Sequence, residues 1–161
     1  MKVLMRVLVV LLAPLLASLP LAASAQTPLY AVYGIKKPGS QGVMTTLNVG
    51  LLPRGDLAEC RRQIEVFEAA VRRTQTAAGP ELLPSQCVAV PPQRLQPMVQ
   101  GLALPDAYVI KQAGNWAPVY TAWYGLSVDD PAAMCTRLVE GLQAKFKPGQ
   151  VEVTCLPPKQ P

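Results

Sequence analysis

The chain contains an internal duplication with a period of 75 residues. Residues 33–72 align with residues 108–147 without a gap, and the two segments are identical at 12 of 40 positions. Each copy places a cysteine at the start of a helix-like segment, Cys60 in CRRQIEVFEAAV and Cys135 in CTRLVEGLQAKF. Self-similarity at a fixed period is typical of one supersecondary unit used more than once. The chain is therefore expected to fold from two copies of the same unit.

Each copy has the pattern of a strand, a turn, a second strand, a helix and a closing strand. The first two strands are YGIKKPGSQG and VMTTLNVGLL in the first copy, and YVIKQAGNW and VYTAWYGLS in the second. Gly39 and Gly114 interrupt the leading strands, where a turn can use the backbone freedom of glycine. The alternating residues Val43, Thr45, Leu47, Val49 and Leu51 predict that one face of the second strand contacts the core.

Both helices are predicted to begin after a capping carboxylate. Asp56 precedes the first helix, and Asp129-Asp130-Pro131 precedes the second, where proline suits the first turn. Apolar residues then recur at i, i+4, i+7 and i+11, the spacing of one buried helix face. These positions are Cys60, Ile64, Phe67 and Val71 in the first copy and Cys135, Val139, Leu142 and Phe146 in the second. Each cysteine is therefore expected to point toward the sheet.

The first 25 residues have the three parts of a Sec-type signal peptide. Lys2 and Arg6 supply the positive start, an apolar stretch follows, and Ala23-Ser24-Ala25 offers small residues for cleavage before Gln26. The apolar stretch is shorter than the roughly 20 residues of a membrane span and contains two prolines. We therefore expect a periplasmic or secreted protein, cleaved after Ala25 and without stable membrane insertion.

Removal of the leader leaves residues 26–161 as a single predicted domain. The 15 basic residues lose Lys2 and Arg6, so the mature charge is 13 − 10 = +3. So mild a charge does not indicate nucleic acid as a partner, for which a clustered basic face is expected.

The four cysteines are expected to form two structural disulfides, because thiols pair in an oxidising compartment. The chain has no histidine and no Cys-x-x-Cys, so zinc and thiol-redox spacings are absent from the sequence. Pairing each helix with its closing strand, QCVAV or VEVTC, predicts Cys60–Cys87 and Cys135–Cys155. The alternative is that disulfides join the two copies to each other.

The two repeats, at about 30–92 and 105–158, flank a proline-rich connector, PPQRLQPMVQGLALPD, with a short helical turn predicted near Leu95–Gln100. Neither repeat has enough apolar surface for a core of its own, so the two are expected to share one sheet. The predicted fold class is α+β: a duplicated β-β-α-β unit forming an antiparallel sheet with two helices on one face.

This element order is similar to ferredoxin-like folds, with one additional leading strand in each half. It also resembles the SPOR domains, duplicated cell-envelope domains that bind glycan strands of the bacterial cell wall. The resemblance rests on LNVGLL followed by AEC and on AWYGLS followed by AMC, a strand ending in glycine before a helix with alanine near its start. It spans about two thirds of the mature chain. It implies a peptidoglycan-binding envelope protein.

No catalytic constellation is evident in the sequence, because a serine or cysteine nucleophile lacks the commonest general base, histidine. Asp129 and Asp130 suit helix capping, and Glu65 and Glu140 follow Arg62 and Arg137 at i+3, a spacing typical of exposed ion pairs. We predict that the protein is not an enzyme and holds no metal or cofactor. A carboxylate-dependent hydrolase is the remaining enzymatic alternative.

The second repeat is richer in aromatic residues than the first. Trp116, Tyr120, Trp123 and Tyr124 stand where the first repeat has Gln41, Thr45, Asn48 and Val49. Tyr120 and Tyr124 share the alternation of the core face, whereas Trp123 takes the other. Aromatic rings stack on sugars or anchor protein interfaces, so Trp116 and Trp123, with Lys111, form the predicted binding site unless the rings complete the core.

The repeated Lys36 and Lys111 could present a cation to an acidic partner or could mark the solvent face of an edge strand. The function predicted from the sequence is a non-catalytic binding or accessory protein of the cell envelope. Its partner is an envelope glycan or an envelope or secreted protein. The alternative is an inhibitor or immunity-type protein that blocks a secreted enzyme.

Overall fold

The computed structural model describes residues 27–39, 42–74, 76, 79–126 and 128–159, so the predicted leader lies outside the described residues. Within these ranges the protein is an α+β fold with three α-helices and a seven-stranded antiparallel sheet. The elements are β1 Leu29–Gly39, β2 Gly42–Leu52, α1 Leu57–Arg73, β3 Glu81–Leu82, β4 Gln86–Val88, a 3-10 turn Gln93–Leu95, α2 Gln96–Val99, β5 Ala107–Gly114, β6 Val119–Tyr124, α3 Pro131–Gln143 and β7 Val151–Leu156. None of these helices is both long and apolar enough to cross a membrane.

The sheet has the strand order β3-β1-β2-β6-β5-β7, and β4 is also paired with β1. The two hairpins share one register, because each residue pair of β5–β6 has its equivalent 75 residues earlier in β1–β2. The hairpins meet through β2 and β6, where Leu47 lies opposite Ala122, its own equivalent in the duplication. The two halves are therefore joined around a pseudo-twofold axis that passes through this residue pair.

Carboxylate caps fix where α1 and α3 begin, as the sequence predicts. Oδ1 of Asp56 accepts hydrogen bonds from the backbone nitrogens of Ala58 and Glu59, at 2.9 and 3.1 Å. Oδ1 of Asp130 accepts one from the backbone nitrogen of Ala133 at 2.9 Å. These side chains satisfy backbone donors that a helix leaves free in its first turn.

Both predicted disulfides are confirmed. Cys60 is joined to Cys87 and Cys135 to Cys155, with Cα atoms 6.1 and 5.4 Å apart, so each bond closes within its own half. The two bonds lie at different heights on the sheet: Cys87 pairs with Ala31 of β1, and Cys155 pairs with Ile110 of β5. In the first half the closing segment is divided into two short strands, β3 and β4. In the second half the equivalent segment is the single strand β7.

One face of the sheet, here called the helix face, carries α1 and α3. Helix α1 packs on β1 and β4, and α3 packs on β7. Cys60 is completely buried with Ala31 and Leu52, and the rings of Tyr33 and Phe67 have centroids 4.6 Å apart. The apolar stripe that begins at the cysteine therefore faces inward, as the periodicity predicts.

The other face, here called the connector face, contains the largest buried cluster. Leu95, Met98 and Leu104 of the connector pack with Val49 of β2 and Ala122 of β6, and all are at most 2% exposed. The prediction of helices on one face therefore describes only one of two packed layers. Strand β5 has four consecutive buried residues, 107–110, and strands that are apolar on both sides require cover on both faces.

Candidate functional site

Trp123, one of the predicted site residues, lies on the helix face in the interior of the sheet. It is opposite Thr46 of β2 and Tyr108 of β5. Its indole Nε1 is buried and has no hydrogen-bond partner among the described residues. Tyr108 beside it is 1% exposed, and burial raises the pKa of its phenol. Trp123 is thus half-buried on the helix face, and its indole nitrogen is enclosed by the protein.

Lys111 lies on the connector face, opposite Tyr120 of β6 and Thr154 of β7. Residues that are directly opposite in an antiparallel pair share a face. Lys111 therefore shares the face of Tyr120, whereas Trp123 shares the face of Tyr108. The structure does not bring Lys111 and Trp123 together, and the three predicted site residues do not form one surface.

Trp116 is the predicted site residue that the structure leaves open to solvent. It lies in the turn between β5 and β6 and is 42% exposed. Its six-membered ring lies over Gly114, where an added Cβ would be 2.9 Å from two ring carbons. Its ring centroid is 6.2 Å from that of Phe146, beyond the end of α3. The indole is therefore held on one side by the protein and offers its other side to a ligand.

Trp116 borders a cavity of about 560 Å³ that both repeats build. The β5–β6 turn forms one wall and the β2–α1 loop with the start of α1 forms the other, and a backbone hydrogen bond of 3.1 Å from Leu51 to Pro118 ties them together. We call this cavity the Trp116 cleft, and its lining residues are Leu51, Leu52, Pro53, Arg54, Asp56, Glu59, Gln63, Asn115, Trp116 and Ala117.

Gln63 of α1 lines the Trp116 cleft and packs on the sheet. Its Oε1 is buried and has no partner among the described residues. The side chain lies over Gly50, where an added Cβ would be 2.8 Å from Oε1. A buried acceptor without a partner costs free energy, typically about 1–3 kcal/mol. Sequence reasoning missed Gln63, although its position three residues after Cys60 places it beside the buried stripe.

Both carboxylates that line the cleft are already engaged, Glu59 with a neighbouring arginine and Asp56 with the backbone. Glu59 forms an ion pair of 2.6 Å with Arg62, and the hydrogen bond from that guanidinium lowers the pKa of the Glu59 carboxyl. Asp56 is occupied as the cap of α1. The sequence predicted that Arg62 pairs with Glu65, and this was wrong. Glu59 lies N-terminal to the arginine in the first helical turn, where helix orientation and dipole both favour a carboxylate.

The cleft thus combines a half-exposed indole, the amides of Gln63 and Asn115, and the guanidinium of Arg54. A flat apolar ring beside several hydrogen-bonding groups is suited to a ligand with an apolar face and polar edges, such as a pyranose ring. In the described ranges, no three His, Cys, Asp or Glu side chains cluster as they would around a metal ion. Comparisons with protein-family models, curated proteins and solved structures give no match.

Proposed function

We propose that the protein is a non-catalytic binding protein of the bacterial cell envelope, and that it binds cell-wall glycan at the Trp116 cleft. The observation that carries the proposal is the half-exposed indole of Trp116 at the edge of a cavity that is also lined by amide and guanidinium side chains. Stacking on the indole would bury the apolar face of a sugar ring, and the polar side chains around it would bond to its hydroxyl groups.

The disulfides support an envelope location. All four cysteines of the chain are paired, and such bonds persist in the periplasm and outside the cell. The signal-like leader agrees with export. The halves lie side by side in the sheet, in the order β3-β1-β2-β6-β5-β7, so the resemblance to ferredoxin-like and SPOR domains concerns the order of elements along the chain and not the strand order.

The state of the carboxylates favours binding over acid–base catalysis. Asp56 caps α1 and Glu59 is paired with Arg62, so neither carboxylate of the cleft is free to act as a general acid or base. The carboxylate-dependent hydrolase is therefore the weaker alternative. An inhibitor that blocks a secreted enzyme through Trp116 would use the same exposed indole, and the experiment below separates it from glycan binding.

The test is co-sedimentation of the disulfide-bonded protein with purified peptidoglycan sacculi. We expect Trp116→Ala to weaken retention by about 30-fold, the loss typical of a central aromatic contact, and Trp116→Phe to retain an intermediate affinity. Val43→Ala is the matched control, because Val43 is 63% exposed and lies at the opposite end of the sheet, beside the β1–β2 turn.

Equal retention of Trp116→Ala and the unmodified protein would contradict the assignment of the cleft. Failure of sacculi to retain the unmodified protein would contradict the glycan ligand. If the protein instead captures one secreted enzyme from envelope extract, inhibits it and loses this effect in Trp116→Ala, the inhibitor alternative is correct.

A further inference from the structure

A second cavity, of about 650 Å³, lies on the connector face at the other end of the sheet from the Trp116 cleft. Its volume falls within the range of roughly 300–1,000 Å³ that small-molecule sites occupy. Leu83 and Pro97, both half-buried, contribute apolar walls, and Lys36, Thr45 and Tyr124 line the cavity from the sheet. None of these residues lines the Trp116 cleft.

The duplication shows which side chain occupies the position equivalent to this cavity in the second half. Lys36 lies opposite Thr45 in the first half, and the equivalent Lys111 lies opposite Tyr120 in the second. Tyr120 is 8% exposed and packs in the connector-face core. The small side chain of Thr45 stands where the second half has a phenol ring. The cavity therefore occupies space that, at the equivalent position of the second half, the ring of Tyr120 fills.

The polar groups around this cavity favour an anion. Lys36 and Arg94 are cationic and Asp106 is anionic, so the charged lining residues sum to 2 − 1 = +1. Within the described ranges, none of the three forms an ion pair within 4.0 Å. The pKa of the Tyr124 phenol is raised by burial and by Asp106, against an opposing effect of Arg94, so at neutral pH its hydroxyl keeps a proton that it can donate.

We propose that this cavity binds a small amphipathic carboxylate, whose apolar chain packs on the half-buried Leu83 and Pro97 and whose anionic group faces Lys36 and Arg94. A monoanion matches the net charge of the lining residues. Charge-assisted hydrogen bonds from lysine and arginine are the strong contacts that carboxylates form in proteins. The repeated lysine thus has different roles in the two halves. Lys36 binds the carboxylate of the ligand, whereas Lys111 lies opposite the buried ring of Tyr120 and does not line this cavity.

The test is isothermal titration calorimetry of the full disulfide-bonded protein with octanoate, and with octan-1-ol as the uncharged counterpart. We expect octanoate to bind with one molecule per chain and octan-1-ol to bind at least about tenfold more weakly, since it lacks the charge. Lys36→Gln should weaken octanoate binding by about tenfold. Lys111→Gln, the matched substitution at the equivalent position, should leave the affinity for octanoate unchanged.

Thr45→Tyr copies the second half into the first and should abolish octanoate binding by filling the cavity. Its far-ultraviolet circular dichroism shows whether it has folded, and the comparison of Lys36→Gln with Lys111→Gln tests the proposal independently of that variant. Absence of octanoate binding, equal binding of octan-1-ol, or equal losses in the two lysine variants would each overturn the proposal. Because this cavity is separate from the Trp116 cleft, retention by sacculi should be the same in Lys36→Gln and the unmodified protein.

Discussion

Single residues determine how much space neighbouring elements of this protein leave for a side chain. A Cβ on Gly34 of β1 would lie 2.8 Å from Cδ2 of Leu47 and would also collide with the backbone oxygen of Thr46. Gly34 does not have a positive φ, so glycine is required there by lack of space and not by backbone conformation. Gly141 of α3 is the opposite case, because a Cβ added there would meet no atom within 4 Å.

We predict that Gly34→Ala lowers the free energy of unfolding by about 1–3 kcal/mol, because the backbone of β2 cannot yield to the new methyl group without repacking. Gly141→Ala should raise it by roughly 0.5–1 kcal/mol, because alanine is the better helix former at an open position. Urea unfolding followed by circular dichroism measures both. A destabilising Gly141→Ala, or a neutral Gly34→Ala, would contradict these packing distances.

Elements with local signals could be predicted from the sequence, and elements defined by distant contacts could not. Helices α1 and α3 begin where their caps predict, because Asp56 and Asp130 act within three residues of their own position. Strand β3, with two residues, is too short to show an alternating pattern. The connector carries its buried residues Leu95, Met98 and Leu104 at irregular spacings among prolines, so its role as cover for the connector face depends on the assembled sheet.

The two aspartates before α3 allow a test at the scale of one helix. Asp130 caps the helix, whereas Asp129 is exposed and accepts no hydrogen bond within the described ranges. Asp130→Ala should therefore lower the free energy of unfolding by about 1 kcal/mol, and Asp129→Ala should change it by less than about 0.5 kcal/mol. Chemical denaturation of the two variants measures the difference. Equal effects would show that general charge, and not the cap, accounts for the stabilisation.

At the scale of the whole molecule, the duplication predicts the symmetric features, and the differences between the halves create the two cavities. Trp116 and the small Thr45 have no counterpart of the same kind in the other repeat, and each borders one cavity. The sequence identified Trp116, but it could not place Trp123 and Lys111 on opposite faces. That outcome depends on the register of β5 against β6, and a shift of one residue would reverse the face of every side chain.

The two disulfides secure each half within this common sheet. The bonded cysteines are 27 and 20 residues apart, so in the chain-entropy estimate each bond contributes about 3 kcal/mol by restricting the unfolded chain. Structural disulfides form and persist chiefly in oxidising compartments. The pairing of the four cysteines therefore tests both the duplicated architecture and the proposed location in the envelope.

The most direct measurement is mass spectrometry of peptides from the protein isolated from its native compartment, with free thiols blocked before digestion and without reduction. We expect two linked pairs of peptides, one joining Cys60 to Cys87 and the other joining Cys135 to Cys155, and no blocked cysteine. A peptide pair that joins Cys60 to Cys135, or four blocked thiols, would contradict the account of two internally closed halves in an oxidising compartment.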